Sequence, residues 1–137
     1  MKRILLAISL LFFAAPAFAQ VASVTLDWTA VGDDGTTGTA ASHEMRWKSS
    51  APSDTTQAAI LTWWNTATVV TNMPAVLASG SAQTVVVSPS GGFQPGVYFF
   101  VLRVCDEVPN CSAFSNIAQK SVLDALPPAR ITDLRVR

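Results

Sequence analysis

The feature that most constrains this chain is the alternation of apolar residues between Pro95 and Asn116. Every second residue from Tyr98 to Val104 is large and apolar, which is the period of a β-strand that packs one face against a core. Turn-forming residues, among them Asp106 and Asn110, follow directly. Residues 113–120 can then return as the partner strand, so the stretch predicts a β-hairpin.

Residues 1–19 have the three-part layout of a secretory signal peptide. Two basic residues precede the apolar run Ile4–Ala15, and the small residues Ala17 and Ala19 form a cleavage pattern. The run is shorter than the roughly 20 residues that a membrane-spanning helix needs. We therefore expect cleavage after Ala19, a secreted or periplasmic location, and no membrane span after cleavage.

The charge of the mature chain gives no reason to expect nucleic acid or an acidic membrane as a partner. Removing residues 1–19 takes away two of the nine basic residues, which leaves seven against nine acidic residues and a net charge of −2. Nucleic-acid-binding proteins carry clustered Lys and Arg, and anionic membranes attract the same residues. Residues 20–137 have the length of one domain.

Both cysteines, Cys105 and Cys111, lie in the exported part of the chain. Disulfides persist in the oxidising space to which export leads, so we predict a Cys105–Cys111 disulfide across the tip of the hairpin. A metal site would need more ligands than two thiols and the lone His43 supply. The spacing also differs from the Cys-x-x-Cys of redox motifs, and free thiols are the remaining alternative.

Two other groups of residues suggest chemistry but have simpler explanations. Asp33 and Asp34 could bind calcium, yet a calcium site takes about 6 to 8 oxygen ligands, and Asp-Gly is an ordinary turn sequence. His43 alternates with Met45 and Trp47, which places it on the predicted core side, and the pattern offers it no nucleophile or carboxylate partner. We therefore predict no catalytic residue, cofactor or metal.

The candidate binding residues are the adjacent tryptophans Trp63 and Trp64. Residues 58–70 around them predict a short helical or irregular crossing followed by a strand. Neighbouring side chains of an extended segment point to opposite faces, so one of the two rings is expected at the surface. An exposed tryptophan can anchor a protein or carbohydrate partner; the alternative is that it only covers the edge of a sheet.

Further strand patterns lie at residues 24–29, 43–48 and 84–87. Strands at roughly ten-residue spacing, with clusters of turn residues between them, are typical of an all-β sandwich. Three segments, Val24–Trp28, His43–Trp47 and Pro95–Phe100, also resemble the marks of the fibronectin type III domain family. In that family they correspond to a tryptophan on strand B, an aromatic-x-aliphatic-x-aromatic strand C, and a Pro-Gly turn before the tyrosine-corner strand F.

The resemblance implies an immunoglobulin-like β-sandwich over residues 20–123. Strand A of the family is missing, because Gln20 lies only four residues before Val24. Residues 124–137 look instead like a Pro-containing linker followed by a strand A. Three explanations stay open: the chain is a fragment of a tandem array, the tail covers its own strand B edge, or it docks on the next molecule, which means self-association through residues 127–137.

The resemblance also bears on function. It implies an exported, non-catalytic module for binding, spacing or assembly. The alternative is an accessory domain or fragment of a larger secreted hydrolase or multidomain surface protein, since modules of this family often accompany such proteins. One histidine and scattered carboxylates provide neither a nucleophile with its base nor an acid–base pair by spacing, so we do not expect an independent enzyme.

Overall fold

The structure is a computed structural model that describes residues 23–108, 110–123 and 135. The predicted signal peptide and, apart from Arg135, the predicted tail of residues 124–137 lie outside the described residues. The described part is mostly β, as the sequence predicts. Its elements are β1 (Val24–Thr29), β2 (Ser42–Lys48), α1 (Gln57–Trp64), β3 (Thr68–Val69), β4 (Ala82–Val87), β5 (Gly96–Cys105) and β6 (Ala118–Val122).

The strands form two antiparallel sheets. β1 pairs with β4 in a two-stranded sheet, and the other sheet has the order β3-β2-β5-β6. Leu26 lies opposite Val85 in the first sheet, and Met45 lies opposite Leu102 in the second. The predicted strands over 24–29, 43–48 and 84–87 are therefore confirmed to within two residues at their ends.

A central core lies between the two sheets; alternate residues of their strands build most of it, and Val70 and Phe93 join from loops. Its buried members are Val24, Met45, Val70, Val85, Val87, Phe93, Tyr98, Phe100 and Val122. The alternation that predicted an inward face for β5 is thus confirmed at Tyr98 and Phe100, and Leu102 packs against the same core. Full burial of one such side chain contributes about 1.5–3 kcal/mol.

Phe93, in the loop before β5, closes one end of the central core and is only 1% exposed. Its ring meets Tyr98 edge-on at a centroid distance of 4.6 Å and Trp47 at 5.1 Å, which is the favoured geometry for aromatic pairs. The Tyr98 hydroxyl donates a hydrogen bond to the Gln94 carbonyl at 3.0 Å. The loop before β5 is therefore fixed both by packing and by a hydrogen bond.

The helix α1 begins after an N-cap residue, Thr56. The Thr56 hydroxyl oxygen accepts a hydrogen bond from the Ala59 N–H at 3.3 Å, which satisfies one of the free N–H groups of the first turn. The Asp54 carboxylate accepts from both the hydroxyl and the N–H of Thr56, and the hydroxyl bond in particular lowers the pKa of Asp54. The predicted helical crossing within residues 58–70 is confirmed, with β3 after it.

A second core lies on the outer face of the four-stranded sheet, under α1. Its buried members are Ile60, Trp63, Trp64, Ala67 and Val101, and Phe99, Phe114 and Ile117 pack against it. Phe99 and Val101 belong to the face of β5 opposite to Tyr98 and Phe100. The prediction of a strand with one buried face was therefore too narrow, because α1 covers the other face as well.

The return strand of the hairpin is shorter than predicted. The sequence predicted a partner strand over residues 113–120, but regular pairing begins only at Ala118. Before that point serine hydroxyls accept from the β5 backbone: Ser115 Oγ accepts from the Leu102 N–H and Ser112 Oγ from the Val104 N–H. Because side chains replace ladder carbonyls there, the segment follows β5 without forming a strand.

Candidate functional site

The expectation of an exposed tryptophan is wrong. Trp63 and Trp64 are each only 5% exposed, because the segment that carries them is a helix lying flat on the sheet rather than an extended strand. The Trp63 indole N–H donates to the Ser50 carbonyl at 2.6 Å. Both rings belong to the second core, so neither offers the surface anchor that the prediction required.

Trp64 also holds the charged face of β2 against the helix. The Arg46 guanidinium lies 4.8 Å from the centroid of the Trp64 ring, within range of a cation–π interaction. The same guanidinium donates to the Trp64 carbonyl at 2.9 Å and forms an ion pair with Glu44. Charged residues of β2 therefore help to attach α1 to the sheet.

The predicted disulfide is present between Cys105 and Cys111. It closes a seven-residue ring, for which chain entropy gives about 2 kcal/mol of stabilisation. At the tip, loss of solvent opposes the ionisation of Asp106, but hydrogen bonds from Asn110 and Val108 outweigh it, and the pKa of the Asp106 carboxyl lies below its ordinary value. The disulfide and the hydrogen bonds to the Asp106 carboxylate therefore both hold the hairpin tip together.

The acidic pair Asp33 and Asp34 lies beside the hairpin tip. Loss of solvent raises the pKa of the Asp33 carboxyl, and repulsion from Glu107, Asp34 and Asp106 adds to the shift. The surroundings of Asp33 therefore disfavour the charged form of its carboxyl. Within the described residues there is no group of three or more His, Cys, Asp or Glu side chains that could hold a metal ion.

His43 lies where the alternation placed it, on the core side of β2. Its Nε2 is 2.8 Å from the Pro74 carbonyl, and since a carbonyl can only accept, that nitrogen carries the proton. The ring meets Trp28 edge-on at 5.5 Å. Its contacts are those of a packed, hydrogen-bonded core residue.

The sheet edges differ in how well they are protected. β3 has only two residues, and β6 carries the exposed Lys120; short edges and lysines both discourage pairing with another chain. The outer edge of β4 is joined to the preceding loop, because the Asn72 amide donates to the Val86 carbonyl and the Gln83 amide to the Ala75 carbonyl. Among the described strands, β1 is left as a six-residue edge without such protection.

The backbone of β1 alternates between groups bonded to β4 and groups that have no partner in the part of the chain that the structure describes. The Ala30 N–H donates to Ser81 on the β4 side, and antiparallel pairs alternate between bonded and non-bonded positions. Because Val86, the partner of Thr25, turns its carbonyl toward Asn72, Thr25 is a non-bonded position in the β1–β4 ladder. The N–H and C=O groups of Thr25, Asp27 and Thr29 therefore point away from β4.

An apolar slot of about 100 Å³ opens beside this free edge. It lies between β1 of one sheet and the segment leading into β6 of the other. The residues that line it are Leu26, Asp27, Trp28, Met45, Phe100, Val101, Leu102, Ser115, Asn116 and Ala118. Leu26, Trp28, Leu102 and Ala118 are only partly buried against the central core, so the core is accessible from this side. We call the β1 edge and this slot together the open groove.

The open groove has the two features that recognition of an extended peptide requires. A row of outward N–H and C=O groups can extend the sheet by one strand, and the slot can take alternate side chains of that strand. The sequence pointed to this edge through the likeness of Val24–Trp28 to a strand B. It missed the slot, because Leu26, Leu102 and Ala118 come from three strands whose packing no local pattern specifies.

No family model, curated protein or solved structure matches the chain. Within residues 23–108 and 110–123, no helix has the length and apolar character needed to cross a membrane.

Proposed function

We propose that the chain is an exported, non-catalytic module of the fibronectin type III kind that works by binding an extended strand in its open groove. The observation that carries this proposal is the outer edge of β1, which pairs with no other described strand, beside an accessible apolar slot. A separate protein and a second copy of the chain would both bind to this same surface. The Cys105–Cys111 disulfide is compatible with the oxidising compartment that export implies.

The arrangement of the strands supports the family likeness. In immunoglobulin-like sandwiches, strands B and E belong to one sheet, and C, F and G to the other. β1 and β4 correspond to B and E, and β2, β5 and β6 to C, F and G. The hydrogen bond from the Tyr98 hydroxyl to the Gln94 carbonyl is similar to the tyrosine corner, in which a tyrosine on strand F bonds to the backbone a few residues upstream.

The absence of catalysis is proposed from the contacts of the groups that could perform it. His43 is engaged with a backbone carbonyl and a tryptophan edge, and a general base needs a proton to abstract within hydrogen-bond reach. The carboxylates of Asp33 and Asp106 lie beside the hairpin tip, where Asp106 is occupied by Asn110 and Val108. A non-enzymatic role fits these arrangements better than proton transfer does.

Strand binding is tested with synthetic peptides on the mature chain. An eight-residue peptide of alternating valine and threonine should bind saturably in fluorescence anisotropy, because alternation presents one apolar face to the slot. A peptide of the same composition with its valines in one block should bind about tenfold more weakly or not at all, since only part of its valines can enter the slot.

The matched variants change Asp27. Asp27→Pro removes an N–H that points to the free edge while keeping the β1–β4 bonds, as edge positions allow, and should weaken binding by about tenfold. Asp27→Asn keeps that N–H and should bind like the wild type. Equal binding of the two peptides, or equal binding by the two variants, would contradict the proposed function.

A further inference from the structure

We propose that the strand received by the open groove is residues 131–136 of a second copy of the chain. This assignment rests on the proposed function and names the partner of the same groove. The segment reads Ile131-Thr132-Asp133-Leu134-Arg135-Val136, and one copy would donate it to β1 of the next as an antiparallel strand.

The residue pattern of the segment matches the groove. In an extended segment Leu134 and Val136 share one face, and Asp133 and Arg135 share the other. The apolar pair suits the slot, whose floor includes the core residues Met45 and Phe100. The charged pair would remain at the outer surface of the sandwich, so insertion buries no charge.

Charge complementarity selects one register. Asp27 is the charged residue of β1, and it is exposed on the outer face of the sheet. If Arg135, which is also exposed, lies opposite Asp27, the antiparallel register places Leu134 opposite Trp28 and Val136 opposite Leu26. Opposite charges across a strand pair are favourable, and the same register brings both apolar residues to the slot.

The starting point of the tail disfavours antiparallel insertion into its own groove. Trp28 contacts His43, which pairs with Val104 near the end of β5, whereas Val122 pairs with Gly96 at its start. β6 therefore ends at the same end of the sandwich at which β1 begins. An antiparallel strand on β1 has to begin at the opposite end.

The connection would have to run the length of β1 and then reverse. That length is about 17 Å for six residues, and the eight steps from Leu123 to Ile131 reach at most about 27 Å. Pro127 and Pro128 lie within these steps and favour an extended, stiff linker. A neighbouring copy can accept the antiparallel strand without such a reversal, so the second copy is the better acceptor for a strand in this direction.

Donation to a neighbour uses two different surfaces, a donor segment and an acceptor groove. Such heterologous contacts produce rings if the rotation closes and open chains if it does not. We therefore expect the mature chain to associate in a concentration-dependent way, beyond a single dimer. The unprotected edge of β1 would be covered in the assembly, which removes an aggregation hazard.

Sedimentation velocity of the mature chain over a wide concentration range tests the assignment. Leu134→Asp places a charge in the slot and should weaken association by at least about tenfold. Ile131→Asp makes the same chemical change on the opposite face of the segment and should weaken it by no more than about threefold. Monomers at every concentration, or equal effects of the two substitutions, would overturn the assignment.

A cysteine pair reports the register and the identity of the acceptor. Asp27→Cys combined with Arg135→Cys would place two cysteines about 5.5 Å apart between their Cα atoms, within the range of a disulfide. Oxidation should give a ladder of covalent oligomers on a non-reducing gel, whereas a covalent monomer would show that the tail covers its own edge and overturn the assignment. If the assignment fails while the alternating peptide still binds, the proposed function stands; if the peptide also fails to bind, both fall.

Discussion

Replacing Trp64 by alanine is expected to destabilise the mature protein by about 3–5 kcal/mol, because it removes one of the two buried tryptophan rings of the second core. The ring packs against Phe114 at a centroid distance of 5.0 Å and carries the Arg46 guanidinium on its face. Without it, α1 loses the contacts of this ring with Phe114 and Arg46. Urea unfolding of the wild type and the variant measures the difference in free energy directly.

The control for this prediction lies in the same helix. Leu61 is 45% exposed, so Leu61→Ala removes little buried surface and should cost less than about 1 kcal/mol. The comparison also decides between the two roles considered for Trp64. A binding anchor would lose affinity without losing stability, so a Trp64→Ala variant as stable as Leu61→Ala would contradict the structural role.

Phe93→Ala is the second substitution with a large expected effect, again about 3–5 kcal/mol. Phe93 is 1% exposed and contacts Trp47, Tyr98 and Phe100, so its loss leaves a cavity at the closed end of the central core. The surrounding rings come from two different strands and cannot all collapse into the space. Urea unfolding again provides the measurement.

Two milder variants distinguish the loss of the Phe93 ring from smaller changes at the same end of the core. Tyr98→Phe removes only the hydrogen bond to the Gln94 carbonyl and should cost about 1 kcal/mol. Phe93→Leu keeps an apolar side chain at the site, should cost less than the alanine variant, and keeps the comparison usable if Phe93→Ala does not fold. A Phe93→Ala variant no less stable than Tyr98→Phe would mean that the ring does not close the core.

The features that the sequence predicted are those that depend on residues close together in the chain. The period of two at Tyr98 and Phe100 specifies an inward face, whichever sheet lies opposite. The Cys105–Cys111 disulfide needed only a turn of suitable length between two exported cysteines.

The features that it missed depend on packing between distant segments. Trp63 and Trp64 are both buried because α1 rests on β5, and no local pattern states where a helix will rest. The late start of β6 follows from the hydroxyls of Ser112 and Ser115, which compete with the backbone as hydrogen-bond acceptors. The apolar slot exists only where β1 and the approach to β6 face each other across the sandwich.

Amide hydrogen exchange in β1 of the mature protein, resolved by residue, tests the central claim most directly. In dilute solution we expect Thr25, Asp27 and Thr29 to exchange rapidly, while Leu26 and Trp28, bonded to β4, exchange slowly. As the protein concentration rises, the three fast amides should slow down as donated strands cover the edge. The claim is contradicted if these amides are as slow as Leu26 and Trp28 at the lowest concentration, or if they stay fast at the highest.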